Sequence, residues 1–145
     1  AFFSLPFLLA ARHAPGLPGA FEIAGFLLWM TGLLGETAAD RQLEGFKRRA
    51  SSRVAVCRDG LWRYSRHPNY FFEWITWCGF ALFATSAPAG WLAWACPVVL
   101  LVLLFRFTGI PAAEAQALRT RGDVYRAYQR STSSFIPWFP RSAAC

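Results

Sequence analysis

The run Gly60-Leu61-Trp62-Arg63-Tyr64-Ser65-Arg66-His67-Pro68-Asn69-Tyr70-Phe71-Phe72-Glu73 sets two arginines, a histidine, an asparagine, two tyrosines and a glutamate against the start of a strongly apolar segment. Arg63 and Arg66 offer planar, permanently charged forks that match phosphate oxygens, so their chemistry is anion binding rather than acid–base work. His67 has three open roles: proton donor, phosphate ligand or structural histidine. Pro68 holds His67 in extended geometry and can itself occupy the first turn of a following helix. Asn69, Tyr70 and Glu73 then open that helix. Residues three and four apart are neighbours on its surface, so Asn69 and Tyr70 can both approach Glu73. The positive end of the helix suits phosphate or carboxylate. Ionisable groups at the edge of a membrane-like segment are functional candidates by default.

Two other groups could form walls around the same ligand. Glu36 and Asp40 are four residues apart and share a helical face. With Gln42 and Lys47 they make a polar stripe, which reads either as a hydrogen-bonding wall for a ribose or amide, or as a solvated helix end with routine ion pairs. The last third supplies Arg106, Glu114, Arg119, Arg121, Asp123, Tyr125, Arg126, Tyr128 and Arg130, followed by Phe135-Ile136-Pro137-Trp138-Phe139-Pro140. It reads as an interfacial amphipathic helix with an aromatic anchor, or as a second binding wall. The chain has no glycine-rich dinucleotide fingerprint, phosphate-binding loop or activated serine or cysteine nucleophile. A soluble Rossmann domain is therefore not expected.

The elements that position these residues are apolar. The chain has 145 residues, of which 55% are hydrophobic, 17% aromatic and only 16% charged, well away from the soluble average. Ala20 to Ala39, Phe71 to Thr85 and Trp91 to Phe107 approach the roughly 20 apolar residues needed to cross a bilayer, and Ala1 to Ala11 resembles the end of a fourth span. The turn-rich link Ser86-Ala87-Pro88-Ala89-Gly90 makes Phe71 to Phe107 a helical hairpin. Ala112 to Arg130 has helical composition interrupted near Gly122. The chain begins inside a hydrophobic run without a basic n-region, so residues 1–145 read as one membrane domain at the C-terminal end of a longer protein.

Charge gives a topology. Eight of the fifteen lysines and arginines fall between Arg41 and Arg66 and six between Arg106 and Arg141, leaving only Arg12 elsewhere. The positive-inside rule places both basic segments and the C-terminus in the cytoplasm, which demands an even number of crossings between Tyr70 and Arg106. The hairpin supplies them. The net charge of +7 is assigned to anionic membrane lipids rather than to nucleic acid, because no base-reading module is present. Cys57, Cys78, Cys96 and Cys145 lack paired spacing, so neither a metal site nor a disulfide framework is indicated.

Several separated motifs occur in order: Glu36-Thr37-Ala38-Ala39-Asp40-Arg41-Gln42, Phe46-Lys47, Gly60 to Glu73, Gly109-Ile110-Pro111 with Glu114, Gly122-Asp123 with Tyr125 and Tyr128, and Phe135-Ile136-Pro137-Trp138. With these the chain resembles the steroid 5-alpha-reductase C-terminal domain membrane family, especially its bacterial branch. The resemblance implies an all-α polytopic membrane bundle, in a bacterial inner membrane, with a cytoplasm-facing cavity for NADPH. It further implies hydride transfer to an activated carbon–carbon double bond of a steroid-like or other lipid substrate. By motif position, Asn69 and Glu73 are implied cofactor-pocket residues, with Arg63, Arg66, His67 and Tyr70 around them. Glu36 and Asp40 are implied as another wall, and Arg126 and Tyr128 as tail contacts. No catalytic residue, metal or oligomeric state is implied for this segment, since the polarising pair of the resembling reductases lies in their N-terminal half.

The chain departs from the family at Phe72, where the family run carries glycine, and across Arg48 to Val56, which lacks the family's asparagine and glycine. A membrane methyltransferase using S-adenosylmethionine is the competing expectation, because isoprenylcysteine carboxyl and phospholipid methyltransferases share the Arg-His-Pro-x-Tyr motif. Those enzymes carry a Glu-Glu pair after the last span, where this chain has Ala113-Glu114. A non-catalytic lipid-binding protein is the third reading.

Overall fold

Proline and glycine punctuate apolar, helix-forming runs along the chain, and the architecture follows that punctuation. The computed structural model describes residues 2–12, 16–52, 54–107 and 109–141. Among them the helices are α1 (Leu5–Ala10), α2 (Ala20–Arg49), α3 (Pro68–Ala84), α4 (Ala95–Arg106) and α5 (Ile110–Ser131), with 3₁₀ turns at Phe2–Ser4, Gly60–Arg63 and Gly90–Trp94. No strand occurs among the described residues; an isolated parallel bridge joins Ser65 to Ser133. The all-α expectation holds.

The membrane expectation narrows. Among the described residues, by length and composition, the chain between Gly90 and Ser131 contains the one window apolar enough to cross a bilayer, with mean hydropathy 2.0. From Glu114 onward its residues are too polar to belong to that window. The other expected spans fall short for physical reasons. Helix α3 has 17 residues, about 25 Å at 1.5 Å per residue, against a hydrocarbon core of about 30 Å. The apolar half of α2 carries Glu22, and the helix runs past Ala39 through a polar tail to Arg49. Helix α1 covers six residues, and the Ala1 end of that expected span, like Cys145, lies outside the described residues.

The described residues group into two compact units. The first comprises residues up to Leu34 together with Phe72–Leu103. Here α2 and α3 approach through glycines: a β-carbon at Gly25 would stand 2.5 Å from the Phe83 backbone nitrogen, one at Gly32 would meet Thr76, and one at Gly79 would run into Trp29. Small residues at a helix crossing let backbones close on each other, the packing used where surrounding lipid supplies no hydrophobic drive. Around this seam Phe7, Trp29 and Trp77 each pack at an angle against Phe80, and Leu9, Ala81, Ala84 and Ala93 form a buried cluster. The large side chains of α2 face the other way: Phe21, Ile23, Phe26, Leu27 and Leu34 are each about half exposed or more.

The hairpin from α3 to α4 is formed as expected. Its turn runs through Ala87 N–H to Ala84 O (3.1 Å) and Gly90 N–H to Ala87 O (2.8 Å). A β-carbon at Gly90 would collide with the Ala84 carbonyl, so glycine is required there. The Trp74 indole N–H donates to Pro97 O at 3.2 Å, tying the two helices. Buried Glu22 accepts from the Ser86 hydroxyl.

The second unit comprises Gly35–Phe71 and the chain from Leu104 onward. Its defining event is in α5, where Gly122 has φ 52°, ψ −125°. Only glycine occupies that region readily. In a straight helix, residues fifteen apart are about 22 Å from each other. Yet Gln129 Nε2 donates to Glu114 Oε2 at 2.7 Å, so the helix reverses at Gly122. Ala117, Tyr125 and Tyr128 pack together across the reversal.

Candidate functional site

The loop before α3 is held in place by the polar end of α2. Gly60, at φ 54°, leaves room for the Gln42 side chain, whose Oε1 accepts from Leu61 N–H at 2.8 Å. The Trp62 indole N–H donates to Ala39 O at 2.8 Å. From the other side, the Tyr128 hydroxyl donates to the Trp62 carbonyl and lies 3.2 Å from Ser65 O. Ser65, fully buried, donates its hydroxyl to Phe135 O and receives His67 N–H.

Glu114 is the hub of this unit. Its Oε1 accepts from Arg66 Nε at 2.7 Å and lies 3.4 Å from His67 Nε2, while Gln129 occupies its other oxygen. Arg66 continues through Nη1 to the carbonyls of Gln129 (3.0 Å) and Thr132 (2.6 Å). Burial pushes the Glu114 carboxyl up, but the hydrogen bonds from His67 and Arg66, the Arg66 charge and Gln129 outweigh it and hold the group down at about 2. It is therefore a carboxylate at neutral pH and a counter-charge, not a proton donor.

Buried phenols surround this pair. Burial first, and the Glu114 charge second, push Tyr125 up to about 12. Burial, with Tyr125 adding to it, pushes Tyr128 higher still. Both stay protonated, which Tyr128 needs in order to donate to Trp62. The Arg58 guanidinium lies 5.4 Å from the Tyr128 ring centroid, a cation–π distance. Burial also raises the Cys57 thiol, which makes it a packing residue rather than a nucleophile.

The expected site residues divide into two sets. Arg66, His67 and Tyr128 come together around Glu114 and the 60–67 loop. Arg66 is not a free fork, since its Nε and Nη1 are committed to protein acceptors, and Tyr128 is 2% exposed with its hydroxyl engaged. The His67 ring stacks on Tyr70, 5.4 Å between centroids and 3° from parallel. In the second set, Arg63 and Asp40 are exposed, Glu36, Asn69 and Glu73 are half-buried, and Arg126 pairs at the surface with Asp123 at 2.8 Å. Pro68 opens α3 as expected, which puts Asn69 and Glu73 one turn apart on one helix.

Gln129 and Ser65 are not among the expected site residues, and Glu114 is expected only as one of several residues of a possible second wall, not as the partner of Arg66. The available signal was Glu114 itself, the first acid after the last apolar segment and one turn past Pro111. Its partner Arg66 is 48 residues away, beyond any periodicity.

A pocket of about 230 Å³ lies beside the α2 tail, lined by Phe46, Lys47, Ser51, Ser52 and Arg121 among others. Arg121 Nε is buried without a hydrogen-bond partner among the described residues. A buried N–H of a guanidinium left unpaired costs about 1–3 kcal/mol or more. Lys47 and Arg121 put two cations on one pocket, and their charges suit a phosphate group.

With the helical architecture and this basic, glycine-hinged second unit in place, comparison with known proteins gives the class. A family model described as a protein of unknown function, DUF1295, matches residues 1–132, and the chain belongs to that family. Similar curated proteins include 3-oxo-5-alpha-steroid 4-dehydrogenase 1 of Homo sapiens, 36% identical over 64 residues, and of Mus musculus, 34% over 64 residues. Steroid 5-alpha-reductase DET2 of Gossypium hirsutum is 33% identical over 64 residues. Each match covers 44% of this chain and 25% of the relative, so the chain spans about a quarter of the curated proteins it matches. No solved structure matches it. The resemblance to the steroid 5-alpha-reductase family drawn from the motifs is thus shown.

Proposed function

We propose that this chain is part of a membrane-embedded, NADPH-dependent reductase that transfers hydride to an activated carbon–carbon double bond of a steroid-like or other lipid substrate. The similarity to steroid dehydrogenases and reductases supports the reaction class. The observation that carries the cofactor assignment is that Lys47 and Arg121 line one pocket, a pair of cations suited to phosphate. Lys47 and Arg121 would hold phosphate. Glu36, Asp40, Asn69 and Glu73 would hydrogen-bond the sugar or amide parts, with Arg63, Tyr70 and Arg126 as further contacts. Arg66 and His67, through Glu114, and Tyr128, through the Trp62 and Ser65 carbonyls, would serve the same site by fixing the 60–67 loop.

NADPH, when bound, supplies the hydride; the chain's part is orientation and charge placement. Reduction of an enone also needs a donor at the carbonyl oxygen. The half-exposed apolar face of the first unit fits a lipid solvent, since large apolar patches on soluble proteins are uncommon.

The test is titration calorimetry of the detergent-purified parent protein with NADPH, NADH and S-adenosylmethionine, alongside Asn69→Ala and Glu73→Ala. Saturable NADPH binding that weakens in both variants is expected. Selective binding of S-adenosylmethionine would replace the reductase with a methyltransferase, and binding of none of the three would leave a non-catalytic lipid-binding protein.

A further inference from the structure

A second basic pocket lies where the chain leaves α5. The segment Ser131 to Arg141 is drawn into a loop, closed by Arg141 N–H to Ser131 O at 2.8 Å and pinned by Arg66 N–H to Ser133 O (2.8 Å) and Trp138 N–H to Tyr64 O (2.9 Å). It encloses a cavity of about 350 Å³ whose lining includes Arg66, Arg130, Arg141, Ser133, Ser134 and Trp138. Among the described residues no acid lines it.

The groups divide by whether their bonding capacity is used. Arg66 is committed to Glu114 and two carbonyls, so it forms wall. Arg130 and Arg141 are exposed and pair with no carboxylate among the described residues, and the Ser133 and Ser134 hydroxyls have no partner there either. Two unspent guanidinium groups and two unspent hydroxyls facing one cavity are a donor set without an acceptor. Three backbone hydrogen bonds hold the loop that carries Arg141 and the two serines, and Arg130 sits in the last turn of α5, so the backbone of the site is already ordered.

We propose that this pocket binds a phosphate group, held by Arg130 and Arg141 with the Ser133 and Ser134 hydroxyls. The planar forks match phosphate oxygens. The cavity is larger than a bare phosphate, which leaves room for the organic part of a phosphate ester. Trp138 and Phe139, 69% and 77% exposed, stand beside it, as aromatics do where a site meets a membrane surface. The phosphate therefore comes from a phospholipid headgroup or from a soluble phosphate ester. Neither Lys47 nor Arg121 contributes, so failure of this proposal leaves the reductase reading standing.

The test is calorimetric titration of the detergent-purified protein, in phosphate-free buffer, with glycerol 3-phosphate and with short-chain phosphatidylglycerol. The wild type is compared with Arg130→Gln/Arg141→Gln and with the charge-matched control Arg48→Gln/Arg119→Gln. Saturable binding of at least one ligand is expected, weakened tenfold or more in the first variant and retained in the second. Tighter phosphatidylglycerol binding marks the lipid headgroup as the source, and tighter glycerol 3-phosphate binding marks the soluble ester. Binding of neither by the wild type, or an equal loss in both variants, would overturn the proposal. Because all four arginines are exposed, a matching thermal midpoint checks that each variant is folded.

Discussion

At the residue scale the governing object is the Glu114 carboxylate. Its fall from the ordinary value of 4.5 to about 2 corresponds to about 3 kcal/mol of preference for the charged form. A lowered acid contributes stability that is fully present above about pH 4.5 and is lost as pH falls through about 2. Thermal unfolding followed between pH 2 and 6 should show that loss in the wild type and a flatter profile in Glu114→Gln. Arg66→Ala leaves the same carboxylate half-buried without its cation and should cost about 3 kcal/mol or more, read as a lowered unfolding midpoint. Such a loss would identify Arg66 as a strut of the site; an unchanged midpoint with weakened NADPH binding would return it to the phosphate ligands. Lys47→Ala is expected to weaken NADPH about tenfold at low ionic strength, a difference that added salt narrows because screening weakens the contact that the wild type alone makes.

At the element scale the turns were legible and the clasp was not. Pro68 starting α3, the break at Ser86–Gly90 and the interruption near Gly122 all follow from local backbone chemistry, which a few adjacent residues specify completely. What Gly122 does with its interruption depends on Gln129 finding Glu114 and on Tyr125 packing against Tyr128, which no window of sequence contains. The same limit hid the seam of Gly25, Gly32 and Gly79, whose meaning depends on which helix lies opposite. Gly122→Ala must force a side chain into φ 52° and should cost about 1–3 kcal/mol. Gly32→Leu drives a bulky group into Thr76 and should cost at least as much by overpacking. Both are read by unfolding in detergent; a neutral Gly32→Leu would mean that the α2–α3 crossing is looser than described.

At the scale of the whole molecule, charge is partitioned between the two units. Fourteen of the fifteen lysines and arginines and six of the eight acids belong to the second, while the first keeps Arg12, Glu22 and Glu73. The first exposes Phe21, Leu27 and Leu34 instead. This division fits the lipid environment proposed for the first unit, although among the described residues one stretch passes as a span by length and composition. Membranes washed with alkaline carbonate should retain the protein, and its release to the supernatant would refute membrane embedding. The composition announced the division; the site in the charged unit stayed hidden because it joins residues 48 positions apart.

That separation orders assembly in time. Glu114 and Gln129 lie fifteen residues from each other and can close as soon as the ribosome has released both, since short loops close at the least entropic cost. Arg66 emerges 48 residues before its acid and must wait, positively charged, through the synthesis of the hairpin and α4. Its charge is met by a carboxylate only once Glu114, near the start of α5, has emerged.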